Sequence, residues 1–147
     1  MTENLHEKYM CEALIEARKA MERNEVPIGA VIVANEKIIG RGHNLTETLQ
    51  DVTAHAEMQA ITAAENFFDA KYLTDCILYV TIEPCVMCAG AIGWAQIPHL
   101  VFGAMDEKRG FMRFAPNSLH AKTKITKGIL ENECRNLMLE FFKKKRK

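Results

Sequence analysis

Two closely spaced cysteines, Cys85 and Cys88, constrain the fold of this chain most strongly, because together they can bind one metal ion. Residues three apart lie on the same face of a helix. Pro84 suits the first position of a helix, where its missing N–H costs nothing. A helix N-terminus also favours the thiolate over the thiol, and the thiolate is the form that binds metals. We therefore expect a helix to begin at Cys85.

A third ligand lies thirty residues upstream, where the segment 53–57 contains His55 and Glu57. His-x-Glu followed by Pro-Cys-x-x-Cys is typical of zinc-dependent nucleobase deaminases. One imidazole and two thiolates suit Zn²⁺ and leave a fourth position for water, as in catalytic zinc sites. We expect His55, Cys85 and Cys88 to bind Zn²⁺ and Glu57 to act as the catalytic proton carrier.

The expected chemistry is hydrolytic deamination of a ring. Bound zinc lowers the pKa of water from about 15.7 to about 7, so that hydroxide is available at neutral pH. Glu57 would pass a proton from this water to a ring nitrogen and then to the leaving ammonia. Positions i and i+2 of a regular helix point to opposite sides, so His55 and Glu57 converge only if the first turn is frayed.

Two other uses of the cysteine pair remain open, a redox-active pair and half of a structural zinc site. The sequence has no second Cys-x-x-Cys and no His-x₃₋₅-His, so a closed structural site lacks ligands. The five cysteines are an odd number, which argues against a disulfide framework. Cys11, Cys76 and Cys134 have apolar neighbours, and we expect them to be buried as small hydrophobic side chains.

Length and composition fit one domain over residues 1–147. The chain has 147 residues, of which 48% are apolar and 26% charged, so it can form a substantial core. No apolar run approaches the ~20 residues that a membrane-spanning helix needs. The N-terminus lacks the basic and apolar regions of a signal peptide, and the expected location is therefore cytoplasmic.

Charge is unevenly distributed along the chain. Residues 1–100 carry 7 Lys or Arg against 14 Asp or Glu, whereas residues 101–147 carry 12 against 5. The last five residues, 143–147, are all basic. This asymmetry favours a polyanionic partner such as a nucleic acid. A solvated tail that aids solubility explains the feature equally well.

The apolar pattern predicts a three-layer α/β/α sandwich with a mixed sheet of about five strands. Helices are expected over 5–23, 54–67, 85–95 and 129–143, and strands over 28–34, 37–42, 76–82, 99–103 and 123–126. The strands 28–34 and 76–82 are apolar throughout and should be covered on both faces. The segment 105–120 has no clear period and is assigned no element. Both ligand groups should lie at one edge of the sheet.

On these motifs the chain resembles the cytidine/deoxycytidylate deaminase superfamily, and within it the bacterial tRNA-specific adenosine deaminases. The similar blocks are residues 25–31, 53–57, 78–92, 101–104 and 128–130. The resemblance implies the zinc ligands His55, Cys85 and Cys88, with Glu57 as the proton shuttle. It also implies that Asn44 contacts a flipped nucleoside, the wobble adenosine of a tRNA anticodon loop, which is converted to inosine. The resemblance further implies that the protein forms a homodimer, as members of the family do.

The C-terminal end and the segment around Trp94 point to different substrates. Phe141 and Phe142, followed by basic residues, resemble the RNA-contacting last helix of the family. Trp94 and the altered 110–120 segment instead favour the alternative, deamination of a free base or nucleoside (guanine, cytosine or cytidine). Trp94 is more simply interpreted as packing at a helix end, and Phe111 and Phe114 either line an entrance or fill the core. A zinc-stabilised RNA-binding protein without catalysis is the non-enzymatic alternative.

Overall fold

The structure is a computed structural model that describes residues 3–145. Five helices lie within these residues: α1 (Glu3–Glu22), α2 (Ala56–Phe68), α3 (Val86–Ala95), α4 (Phe111–Phe114) and α5 (Glu131–Lys145). The same residues contain five strands: β1 (Gly29–Ala34), β2 (Lys37–His43), β3 (Ile77–Ile82), β4 (His99–Ala104) and β5 (Lys124–Lys127). Each predicted helix and strand is found close to its predicted bounds. Only the short α4 lies in a segment for which no element was predicted.

The strands form one mixed sheet in the order β2-β1-β3-β4-β5. Strand β1 pairs antiparallel with β2 and with β3. Strands β3, β4 and β5 are mutually parallel. The carboxyl ends of β3 and β4 therefore lie at the same edge of the sheet, which is where open α/β sheets form their sites.

The alternation of side chains along β1 shows how the sheet is covered on both faces. Ala30 and Ile32 lie in a core cluster with apolar side chains of α2 and α3. Val31 and Val33 lie in a second cluster, with side chains of α1 and α5. Successive strand residues point to opposite faces, so each face receives its own layer of helices. The predicted three-layer α/β/α sandwich is confirmed.

Close contact between α2 and β2 depends on glycine. A Cβ at Gly42 would lie 2.5 Å from the carbonyl oxygen of Ala56 and 2.7 Å from the nitrogen of Ala60. No real Cβ tolerates such contacts, so only glycine lets the first turn of α2 lie this close to the sheet. This contact fixes the start of α2, directly after His55, at the end of β2.

The cysteines are all free thiols. Cys76 and Cys134 are buried, as predicted, but Cys11 is exposed, so that prediction was wrong. Met10, Ala13 and Ala17 occupy the inner face of α1, and Cys11 lies on the opposite face. Among the described residues, no helix has the length and apolar character needed to cross a membrane.

Candidate metal-binding and active site

His55 caps α2 without belonging to it. Its backbone is extended, with φ −76° and ψ 159°, while its carbonyl accepts the hydrogen bond from the N–H of Gln59 at 3.1 Å. The preceding turn is held by Asp51, whose Oδ1 accepts hydrogen bonds from both the N–H and the hydroxyl of Thr53. Because His55 lies outside the helix, its imidazole and the carboxylate of Glu57 can point to the same place.

Cys85 holds the corresponding position before α3. Its backbone is also extended, with φ −74° and ψ 174°, and its carbonyl accepts from the N–H of Ala89 at 2.9 Å. Pro84 therefore precedes the cap, and the prediction that it occupies the first helical position was wrong. Neither His55 nor Cys85 uses its side chain to cap its helix. Both side chains are thus available at the positive ends of two helices.

The three predicted ligands meet at one point. His55 Nδ1 lies 3.6 Å from Cys85 Sγ and 3.5 Å from Cys88 Sγ. All three ligand atoms lie within 4.8 Å of one another. A tetrahedral zinc ion with standard bond lengths holds its nitrogen and sulfur ligands about 3.6 Å apart. The observed separations therefore fit a group placed to bind a tetrahedral metal.

The charge balance of the group also favours a cation. Among the protein groups alone, hydrogen bonds from Cys88 and His55 outweigh burial and lower the pKa of Cys85 to about 4. The hydrogen bond to Cys85 raises the pKa of His55. A separate hydrogen bond between Cys88 and Cys85, together with burial, raises the pKa of Cys88. A second thiolate is unfavourable beside the first unless a metal ion compensates the charge.

Glu57 is the second residue of α2 and is buried beside the cysteines. Burial raises the pKa of its carboxyl to about 7, and Cys85 acts in the same direction. A carboxyl with this pKa both accepts and donates a proton readily at neutral pH. The structure thus places the predicted proton carrier next to the predicted metal ligands.

A cavity of about 390 Å³ opens onto this group. Its wall contains two side chains of this group together with polar and apolar ones: Val26, Ile28, Asn44, Thr46, His55, Ala56, Glu57, Glu83, Cys85, Asp106, Arg109, Met138 and Phe142. Asn44 Oδ1 accepts a hydrogen bond from the N–H of Thr46 at 3.3 Å. No hydrogen bond joins Asn44 Nδ2 to another described residue, so this amide is available to a ligand in the cavity.

Several residues of the cavity wall were not predicted from the sequence, among them Thr46, Glu83, Asp106 and Met138. Only Glu83 left a signal in the sequence, an acidic residue between an apolar strand and the Pro-Cys motif. A carboxylate at such a position is seldom buried unless it has partners. The other three reach the cavity through loop and helix packing, which local sequence does not reveal.

The aromatic residues discussed above divide between core and surface. Phe111 is fully buried and fills the core, whereas Phe114 is exposed. Trp94 is 84% exposed and lies in the last turn of α3, away from the Cys85 end of that helix. The interpretation of Trp94 as packing was therefore wrong within this chain. Trp94 is also absent from the cavity wall described above.

Comparison with known proteins identifies the family. The family model of MafB19-like deaminases matches residues 4–146. The tRNA-specific adenosine deaminase of Bacillus subtilis (strain 168) is 45% identical over 146 residues, which cover 96% of this chain and 91% of that protein. A guanine deaminase structure from Nitrosomonas europaea is similar in fold, with a TM-score of 0.81 and 25% identity, over 92% of this chain and 83% of that one.

A second solved structure comes from tRNA:A34 deaminases that carry out A-to-I editing at the wobble position of transfer RNA. It has a TM-score of 0.83 and 43% identity, over 88% of this chain and 98% of that one. The chain therefore belongs to the MafB19-like deaminase family, and it is similar over nearly its whole length to a tRNA-specific adenosine deaminase.

Proposed function

We propose that this chain is a zinc-dependent hydrolytic deaminase that converts the wobble adenosine of a tRNA anticodon to inosine and releases ammonia. The observation that carries the proposal is the His55, Cys85 and Cys88 group, spaced for a tetrahedral metal beside the buried carboxylate of Glu57. The 45% identity to a tRNA-specific adenosine deaminase supports the choice of substrate. A tRNA substrate would place this activity in the cytoplasm.

Each residue of the site has a distinct task in this proposal. His55, Cys85 and Cys88 would hold the zinc ion, which when bound supplies hydroxide at neutral pH. Glu57 takes a proton from water and delivers it to a nitrogen of the adenine ring. It then takes a second proton from the hydroxyl group added to the ring carbon and delivers it to the amino group, which departs as ammonia. Asn44 donates a hydrogen bond from Nδ2 and so orients the nucleoside. Water and adenosine thus yield inosine and ammonia.

The surface around the cavity supports a polynucleotide substrate. Arg109 is exposed on the cavity wall and forms no ion pair with any described residue. A second cavity of about 270 Å³ shares Arg109 and Phe142 with the first and adds Lys108. A basic and aromatic surface suits the phosphates and splayed bases of an RNA loop. A free base would need neither feature.

The end of α5 extends this surface. Phe142 lies on the cavity wall, and Lys143, Lys144 and Lys145 form the last turn of the helix. The predicted basic tail over 143–147 continues to two residues that lie outside the described part of the chain. Exposed lysines that directly follow a cavity-wall residue in the sequence attract phosphates in a salt-dependent way.

The substrate proposal is tested with an anticodon stem-loop RNA that carries adenosine at the wobble position. Mass spectrometry should detect inosine there after incubation with the zinc-loaded protein, and the protein should contain one zinc per chain. A parallel panel of guanine, cytosine, cytidine and adenosine should release little ammonia. Ammonia from a free base, with no inosine in the RNA, would instead support the free-base alternative, which the similarity in fold to a guanine deaminase favours.

Arg109→Gln should weaken RNA binding without changing the chemistry. Loss of one phosphate contact should reduce the slope of log KM against log salt by about 1, with kcat unchanged. The matched control is Lys71→Gln, which removes one exposed positive charge beyond the far end of α2. Equal salt slopes in the two variants and the wild type would show that Arg109 does not contact a phosphate.

The proposed active protein is a homodimer formed through α3. This helix is apolar around its whole circumference, and Val86, Met87 and Trp94 on its outer face are exposed. A helix with this composition is normally buried. A Cβ at Gly90 would meet nothing within 4 Å, so another helix can approach closely there. We infer that a second copy of this chain covers the face.

Trp94→Glu should therefore convert the dimer to a monomer. Burying a carboxylate in place of a large aromatic side chain at an interface should raise the dimer dissociation constant by about a hundredfold or more. Light scattering coupled to size-exclusion chromatography measures the mass directly. Phe67→Glu, which changes another exposed aromatic side chain, on α2, should leave the mass unchanged. A Trp94→Glu protein that remains a dimer would exclude this interface.

A further inference from the structure

Glu83 is a buried carboxylate that the proposed chemistry does not use. It follows β3 and precedes Pro84 and Cys85, and only 3% of its surface is exposed. Its Oε1 accepts a hydrogen bond from the N–H of Asp106 at 3.0 Å. Its Oε2 accepts one from the N–H of Met112 at 2.9 Å. Bonds from N–H groups to a buried, charged acceptor are among the strong ones, so Glu83 acts as a crosslink between segments.

The 105–112 loop passes directly over this carboxylate. A Cβ at Gly110 would lie 2.3 Å from Glu83 Oε1, so only glycine fits there. Gly110 also forms an isolated β-bridge with Cys85. The N–H of Phe111 donates to the carbonyl of Pro84 at 3.0 Å. Side-chain and backbone bonds thus join the loop to the segment that carries a metal-ligand cysteine.

The 105–112 loop, which these bonds hold in place, contains two residues of the cavity wall, Asp106 and Arg109. Asp106 Oδ1 accepts hydrogen bonds from the N–H groups of Lys108 and Arg109, both at 3.0 Å. These bonds form a tight turn that fixes where Arg109 leaves the backbone. Because Glu83 holds the N–H of Asp106, the position of the whole turn relative to Cys85 depends on Glu83.

We propose that Glu83 is a positioning residue that holds the substrate-binding wall of the cavity in register with the metal-binding group. Glu83 lies on the cavity wall, but each of its carboxylate oxygens accepts a hydrogen bond from a backbone N–H group of the loop, so we assign its effect to the position of the loop. It therefore sets the affinity for the RNA loop rather than the rate of the chemical step. The consequence for substrate rests on the proposed function, whereas the consequence for the loop does not.

Glu83→Gln tests the proposal in the full-length, zinc-loaded protein. Glutamine has the same size, but its NH₂ group would face one of the two N–H donors, so that a bond is lost. Hydrogen exchange at the amides of Asp106 and Met112 should accelerate about tenfold or more, and KM for the stem-loop RNA should rise about tenfold. The value of kcat and the zinc content should stay close to those of the wild type.

Glu107→Gln is the matched control, because Glu107 is an exposed carboxylate on the same loop. It should change neither hydrogen exchange nor KM. Unchanged exchange in Glu83→Gln, or a fall in kcat with KM unchanged, would overturn the proposal. If wild-type protein forms no inosine, the substrate assignment fails, and the exchange measurement alone decides the role of Glu83.

Gly110→Ala provides an independent perturbation if Glu83→Gln does not yield folded, zinc-loaded protein. Its methyl group would displace the carboxylate from the loop side, and the same accelerated exchange and raised KM are expected. Loss of the global fold in both variants would also overturn the proposal. Hydrogen bonds that only position a surface loop should not be needed for the core to fold.

Discussion

Glu57→Gln is expected to lower kcat for RNA deamination by about 10²–10⁴-fold while the protein keeps its zinc. The amide has nearly the same volume as the carboxyl, so the buried site at the start of α2 should stay intact. It cannot accept and return a proton near neutral pH, however, and the reaction needs that transfer twice. The measurements are single-turnover inosine formation and zinc content of the same preparation.

The control for Glu57→Gln is Glu65→Gln, which changes another carboxyl on α2 more than two turns further along the helix. This variant should deaminate RNA at the wild-type rate and bind zinc equally well. A Glu57→Gln enzyme with unchanged turnover would contradict the proposed role and require another proton carrier. Loss of zinc from Glu57→Gln would instead show that the carboxylate supports metal binding.

The layers of the fold were predictable because their signals are local. Strands β1 and β3 are apolar throughout, and a strand with that composition must be covered on both faces. The exact start of α3 was not predictable in the same way. Cys85 is a cap rather than a helical residue, and its extended backbone forms a bridge with Gly110. That partner is distant in sequence, so no local pattern indicates it.

The grouping of the three proposed ligands was predictable from residue type and spacing, but the rest of the cavity wall was not. His55, Cys85 and Cys88 form a recognisable pattern even though they lie at the starts of two separate helices. Asp106 and Met138 reach the cavity only because β4 and α5 lie beside it in the sheet and helix layers. The exposure of Trp94 was not predictable either. Helix α3 is apolar on every side, so its sequence does not reveal which face is left uncovered.

Cys88→Ala should abolish both metal binding and activity, and it should also lower stability. Cys88 is the third residue of α3 and is fully buried, so no water-exposed group can replace its sulfur as a ligand. A metal that binds only the folded protein stabilises it by about 2.7 kcal/mol when its free concentration is a hundred times the dissociation constant. Wild-type protein should lose this stability when a chelator is added.

Chemical denaturation with and without chelator, combined with zinc analysis, separates the metal from ordinary packing. The matched control is Cys76→Ala, which removes another buried thiol that lies outside the metal-ligand group. It should cost about 1 kcal/mol through lost packing, yet keep its zinc, its activity and its response to chelator. Cys88→Ala should show no response to chelator, because it has no bound metal to lose. If Cys88→Ala retained zinc and a chelator response equal to that of Cys76→Ala, the two-thiolate metal site, and with it the proposed source of the nucleophile, would be refuted.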